Sequence, residues 1–192
     1  NALLWHYTDD EAYATKAIAI LNSWNSLKEI QSNPVEQGKL GAGWIGAVFA
    51  PAAELMRSYS GWRPSDVLAL QSMLSDVFLP WLRDASFWNG NVDLTQIDAM
   101  ISIAVFIDDR SVFELALDRL AKRVPAYFYL EGKSIPRIDG DYGNTNQFWH
   151  YPNKWVTGLT QETCRDNGHH AQFALGSALH VCQAAWNQGV DV

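Results

Sequence analysis

A chain of 192 residues, 48% hydrophobic and 18% charged, holds enough apolar side chain for one packed domain and does not read as a disordered segment. Its formal net charge is −7 with no run of Lys and Arg, which weighs against nucleic acid or an anionic membrane surface as partner. No apolar run reaches the roughly 20 residues of a membrane-spanning helix, and the opening Asn1-Ala2-Leu3-Leu4-Trp5 does not read as a signal peptide.

The periodicity is helical almost throughout. Ala12, Tyr13, Ala17, Ile20, Leu21, Trp24 and Leu27 recur at helical spacing and predict a helix from Asp9 to Ile30, started by Thr8 or Asp9. Pro and Gly mark Ser32 to Gly43 as a loop. A second helix is predicted from Trp44 to Ser60, with Pro51 as a kink or a start, and a third from Ser65 to Arg83, disturbed by Pro80. A fourth is predicted from Asp93 to Ile107 and a fifth from Arg110 to Arg123. Short connections between such helices predict antiparallel hairpins, so the fold class is all-α.

The pattern changes after Val124. Pro125 to Gly158 has no clear period but carries eight aromatics: Tyr127, Phe128, Tyr129, Tyr142, Phe148, Trp149, Tyr151 and Trp155. That load predicts a folded loop over a cleft rather than disorder. A last helix is predicted from Asp166 to about Asn187, ended by Gly189. It would put Cys164 and Cys182 about 25 Å apart at roughly 1.5 Å per residue. A disulfide needs Cα atoms within about 7 Å, so two free thiols are expected.

The densest polar group of the sequence runs from Gln161 to His170. Thr163 to Asp166 has the capping-box pattern, and the helix start gathers Glu162, Arg165, Asp166, His169 and His170, where an anion is favoured. A capped helix with internally paired charges explains the same residues. A second group, Trp88-Asn89-Gly90-Asn91-Val92-Asp93, reads by itself as a turn and helix cap. Adjacent His169 and His170 point to different helix faces, and neither His-Glu-x-x-His nor Cys-x-x-Cys occurs, so a zinc site is not expected. No Gly-x-Ser-x-Gly elbow supports a serine nucleophile.

The run Gln161-Glu162-Thr163-Cys164-Arg165-Asp166-Asn167-Gly168-His169 resembles the Gln-Glu-x-x-Arg-Asp-x-Gly-His signature of alginate lyase-like polysaccharide lyases. Leu40-Gly41-Ala42-Gly43-Trp44, Asn89-Gly90-Asn91 leading to Ala104 through Arg110, and Ala185 through Asp191 resemble the same family, in its order. Val92 departs from it, standing where the family usually has Trp. The resemblance implies an α/α toroid, β-elimination on a uronate polymer such as alginate or glucuronan, an anionic polysaccharide partner, no metal or other cofactor, and a secreted or periplasmic location. It also implies that residues 1–192 are one partial toroid domain truncated at both ends, with the family's acid tyrosine beyond Val192.

β-Elimination removes the weakly acidic C5 proton of a uronate, so its carboxylate must be neutralised before charge develops. Asn91, Gln161 and Arg165 are the candidates for that, and His169 is the expected base, with His170 second. Tyr127, Tyr129 and Tyr142 are possible acids within the chain. Glu162, His170, Asn89, Trp44, Tyr129 and Trp149 are expected to contact substrate. Two rival readings use the same residues differently. A glycoside hydrolase would use paired carboxylates among Asp93, Asp98, Asp139, Asp141 and Glu162, and a non-catalytic carbohydrate-binding domain would use Trp44, Trp149 and Trp155.

Overall fold

The stretch Gly90 to Phe106 has apolar or small residues on every side, and a helix without a polar face has to be surrounded. In the computed structural model, which describes all 192 residues, it becomes the central helix of an all-α protein. The other helices are α1 (Ala2–Thr8), α2 (Glu11–Asn22), α3 (Val35–Met56), α4 (Pro64–Met73), α5 (Leu79–Leu82), α7 (Arg110–Tyr127), α8 (Thr145–Phe148), α9 (Thr163–Asp166) and α10 (His170–Asn187). Gly90–Phe106 is α6, and it packs against α3, α5, α7 and α10.

Register follows from named neighbours. Gly43 of α3 faces Thr95, and Gly46 faces Ala99 and Ile103, so α3 and α6 advance in the same direction. His180 of α10 meets Asp98, and Ala184 and Gln188 share a cavity with Ser102 and Val105, so α10 runs parallel to them as well. α7 runs the other way, with Arg119 and Arg123 beside Asp93 near the start of α6. Parallel neighbours with an antiparallel return helix are compatible with an arc of the expected α/α toroid. No helix is long and apolar enough to cross a membrane.

Several boundaries differ from the sequence reading, each for a physical reason. The expected helix from Asp9 to Ile30 is two: Asp9 takes a left-handed φ of 55°, and Asp10 caps α2 by accepting the Ala12 N–H at 2.9 Å. α2 stops at Asn22, whose side-chain amide donates to Asp66 and accepts from the Trp62 indole, both at 3.0 Å. The predicted loop before Trp44 is helical from Val35. Its glycines serve close approach: a Cβ at Gly43 would lie 2.7 Å from Thr95 and one at Gly38 2.4 Å from Trp81. The third predicted helix is interrupted by a π-helical turn at Leu74–Phe78, just before Pro80, whose missing N–H cannot join the α ladder.

α7 reaches Tyr127, past the expected Arg123, with Pro125 inside it. α10 starts at His170 rather than Asp166, because the chain turns at Asn167-Gly168-His169 and leaves Thr163–Asp166 as a separate short helix. Cys164 and Cys182 are free, as expected, although they lie on different helices.

Candidate active site

The N-terminus of α6 leaves backbone N–H groups without helical partners, and a distant side chain satisfies one of them. Gln161 Oε1 accepts the Gly90 N–H at 3.0 Å. Asn89 occupies the N-cap position, yet its side chain makes no capping bond. Its Oδ1 instead accepts from Tyr142 Oη at 3.2 Å and from Gln161 Nε2 at 3.3 Å, and lies 3.2 Å from His150 Nε2. The Nδ2 donor of Asn89 makes no hydrogen bond within the protein. Asn89 is therefore a hub on which a phenol, an imidazole and a buried amide converge.

The segment between α7 and α9 delivers those groups. Its ends are held together by Tyr129 N–H to Leu159 O at 2.8 Å, Gly158 N–H to Tyr129 O at 3.0 Å and Gln161 N–H to Tyr127 O at 2.8 Å. Its apolar side chains form a small core of Phe148, Trp149 and Leu159, with Tyr129, Ile135 and Trp155 packed around it. Past Trp149, His150 and Tyr151 both adopt φ 56°, a region that costs free energy for a residue with a Cβ. The neighbouring core holds that turn and leaves the half-buried His150 ring beside Asn89.

Glu162 is fully buried. One carboxylate oxygen accepts from Tyr127 Oη at 2.8 Å and the other from Arg165 Nη1 at 2.5 Å. Burial pushes the Glu162 carboxyl up, against the opposing pull of Tyr127 and Arg165. Burial, and then the Glu162 charge, pushes the Tyr127 phenol up as well. Arg165 keeps about a third of its side chain in solvent, so the rest of its donor fork is open. Burial, assisted by the Arg165 charge, holds His150 below the ordinary imidazole range. Tyr142 is raised, chiefly by burial. The arrangement offers a fixed cation and a free amide donor to an anion, with a neutral imidazole and a protonated phenol beside them.

The alginate lyase family matches the chain over residues 1–136. The chain belongs to the alginate lyase family. That family is one of polysaccharide lyases, and the matched part of this member contains Asn89, Asn91 and Tyr127. The loop with Tyr142 and His150, and the Gln161 to His170 run, follow it. No curated protein and no solved structure matches.

In this alginate lyase-family chain the residues expected from sequence are only partly brought together. Asn89, Gln161, Glu162 and Arg165 lie in one connected network with Tyr127, Tyr142 and His150. Gln161 and Glu162, expected to touch substrate, are buried with their polar atoms engaged inside the protein, Gln161 donating also to Phe148 O. His169 is exposed and its ring makes no hydrogen bond, lying edge-on to His170 with centroids 5.0 Å apart. His170 pairs through Nδ1 with Asp166 at 2.7 Å, and that bond holds the Asp166 carboxyl low.

Asn91 is buried in the first turn of α6, and its Oδ1 has no partner. Trp149 is 1% exposed in the small core, with no face open to a sugar. Tyr129 packs edge-on against Trp155. Trp44 is 45% exposed on α3 with Phe173 against it, an open aromatic face. Of the carboxylates a hydrolase would use, Asp93, Asp141 and Glu162 are tied to arginines and Asp98 lies beside His180. No three His, Cys, Asp or Glu side chains converge as metal ligands.

His150 is the residue the sequence reading missed. Its flanking aromatics Trp149 and Tyr151 stand out by composition, but a lone His in an aperiodic loop has no partner at helical or strand spacing. Only the left-handed turn and the crossing of residues 89, 142 and 161 mark it.

Proposed function

We propose that this chain cleaves a uronate polymer by β-elimination at the Asn89 cluster. A bound uronate carboxylate takes hydrogen bonds from Asn89 Nδ2 and the open side of the Arg165 guanidinium, which offsets the charge that resists C5 deprotonation. His150, with Nε2–H donating to Asn89 Oδ1, keeps Nδ1 unprotonated to take the C5 proton. The C5–H electron pair forms the C4=C5 double bond as the C4–O bond breaks. Tyr142 Oη gives its proton to the departing oxygen, and proton exchange with solvent restores both groups. His150 replaces His169 as the base in this assignment, and the acid is supplied within the chain.

The observation that carries the reading is the convergence of Tyr142 and His150 on an N-cap asparagine that caps nothing, beside an arginine with open donors. The engagement of Asp93, Asp141 and Glu162 by arginines favours it over hydrolysis by those carboxylates. A secreted or periplasmic location accords with such a substrate. The test is a panel of polymannuronate, polyguluronate, mixed alginate and glucuronan, followed by ultraviolet absorbance of the unsaturated product and by reducing ends. Both signals should rise together on at least one polymer. New reducing ends without unsaturation would make the chain a hydrolase, and tight polymer binding with neither signal would make it a binding domain.

A further inference from the structure

Tyr142 sits in a stretch without regular structure, so something other than secondary structure must fix its hydroxyl. Its sequence neighbour Asp141 has a side chain only 1% exposed. One oxygen of that carboxylate accepts Arg123 Nη1 at 2.8 Å and the other accepts the Ile138 N–H at 3.2 Å. Arg123 is itself fully buried and donates through Nε to Asp93 Oδ2 at 2.7 Å. Asp93 lies on α6, one helical turn after Asn89. Both ends of the Tyr142–Asn89 hydrogen bond thus refer back to the first turn of one helix.

Two further contacts bear on the same short stretch. Arg137 Nη2 donates to the carbonyls of Asp141 at 2.8 Å and Tyr142 at 3.2 Å. Both Arg123 and Arg137 lie over the Phe148 ring, against which the Tyr142 ring packs edge-on at 5.2 Å. Gly140 allows the approach, for its φ is 96° and a Cβ there would lie 2.5 Å from Ser86 O. Buried ion pairs contribute little net stability, because desolvation offsets their attraction, but they can hold one geometry against others. A fully buried arginine between two carboxylates, spent on a single loop, fits the second role.

We propose that the Asp93–Arg123–Asp141 chain is a positioning device for Tyr142, with Asp141 and Arg137 as positioning residues that never touch substrate. The assignment of the device to catalysis rests on the lyase reading; the placement of Tyr142 does not. The test titrates the Tyr142 phenol by tyrosine-ring carbon NMR, assigned by its loss in Tyr142→Phe, in the wild-type chain, Asp141→Asn and Arg137→Ala. Loss of the device should move the titration toward that of a free tyrosine in both variants. On a polymer that the wild type cleaves, Asp141→Asn should lower kcat by about 10- to 100-fold, since misplacing a reacting group is costly. KM should change less than about threefold. In a Tyr142→Phe background, Asp141→Asn should add no further loss, because it acts only through the missing phenol.

An unchanged Tyr142 titration in the folded variants, or losses that multiply in the double variant, overturns the proposal. Arg137 is partly exposed, so Arg137→Ala carries the test if Asp141→Asn does not fold. A wild-type chain inactive on every uronate polymer removes the lyase reading, and the titration then decides the positioning role alone.

Discussion

At Asn89 one side chain could cap a helix or face a ligand, and hydrogen-bond accounting decides between them. An N-cap asparagine ordinarily accepts an N–H from the first turn of its helix. Here the Gly90 N–H is taken by Gln161, which releases Asn89 to gather Tyr142 and His150. His150 carries the sharpest prediction at this scale. Its folded pKa lies below the ordinary value of about 6.5, so it stays unprotonated and competent as a base down to a pH below that value. The acid limb of kcat/KM should therefore fall below pH 6.5, and Tyr142, raised above its ordinary value of about 10, should place the alkaline limb above pH 10. Replacing His150 with Gln should cut kcat by about 100-fold or more and remove the acid limb. If His169→Gln did so while His150→Gln kept wild-type turnover, the base would be His169.

Among the elements, α3 separates what composition suggests from what packing requires. Gly38, Gly41 and Gly43 read as loop punctuation, but in α3 Gly38 lies close to Trp81 and Gly43 to Thr95, as Gly46 does to Ala99. Two positions on this helix should respond with opposite sign. Alanine at Gly41 meets nothing within 4 Å, and should stabilise by up to about 1 kcal/mol through helix propensity. Alanine at Gly43 gains the same but drives its Cβ to 2.7 Å from Thr95 Cγ2 and 3.2 Å from the Thr95 backbone. Overpacking of that kind costs about 1–3 kcal/mol, so a net loss of up to about 2 kcal/mol is expected after the propensity gain. Urea unfolding of the two variants checks both signs, and stabilisation by both would mean that α3 does not pack on α6 in this register.

For the molecule as a whole, the packing of α10 on α6 buries a titratable group. Asp98 is pushed up to about 7 by burial, with His180 and Ser177 pulling the other way. Its unfolded value is near 3.8, so between about pH 4 and pH 7 the folded chain holds a proton that the unfolded chain has released. That contribution is fully present below pH 4 and is lost as pH rises through 7. The urea midpoint of the wild-type chain should therefore fall over this range relative to Asp98→Asn. Parallel curves for the two proteins would show that folding leaves the Asp98 pKa where it is in the unfolded chain.

The sequence by itself determined the fold class, because helical periodicity is local and the α6 and α7 patterns are long enough to state it. It also pointed to the family, and to the polar run from Gln161 to Arg165 that enters the site. Where helices begin and end was less legible: Gly43 reads as a breaker but sits inside α3, where it allows close approach to the distant Thr95. Asn89 reads as a cap by sequence, but in the structure its side chain caps nothing, Gln161 is buried and His169 is exposed. Only the tertiary structure put residues 89, 142, 150 and 161 around one amide oxygen. The physical reason is range: capping and periodicity act over a few residues, whereas the bond from Gln161 to Asn89 spans 72 positions and exists only when the chain has packed.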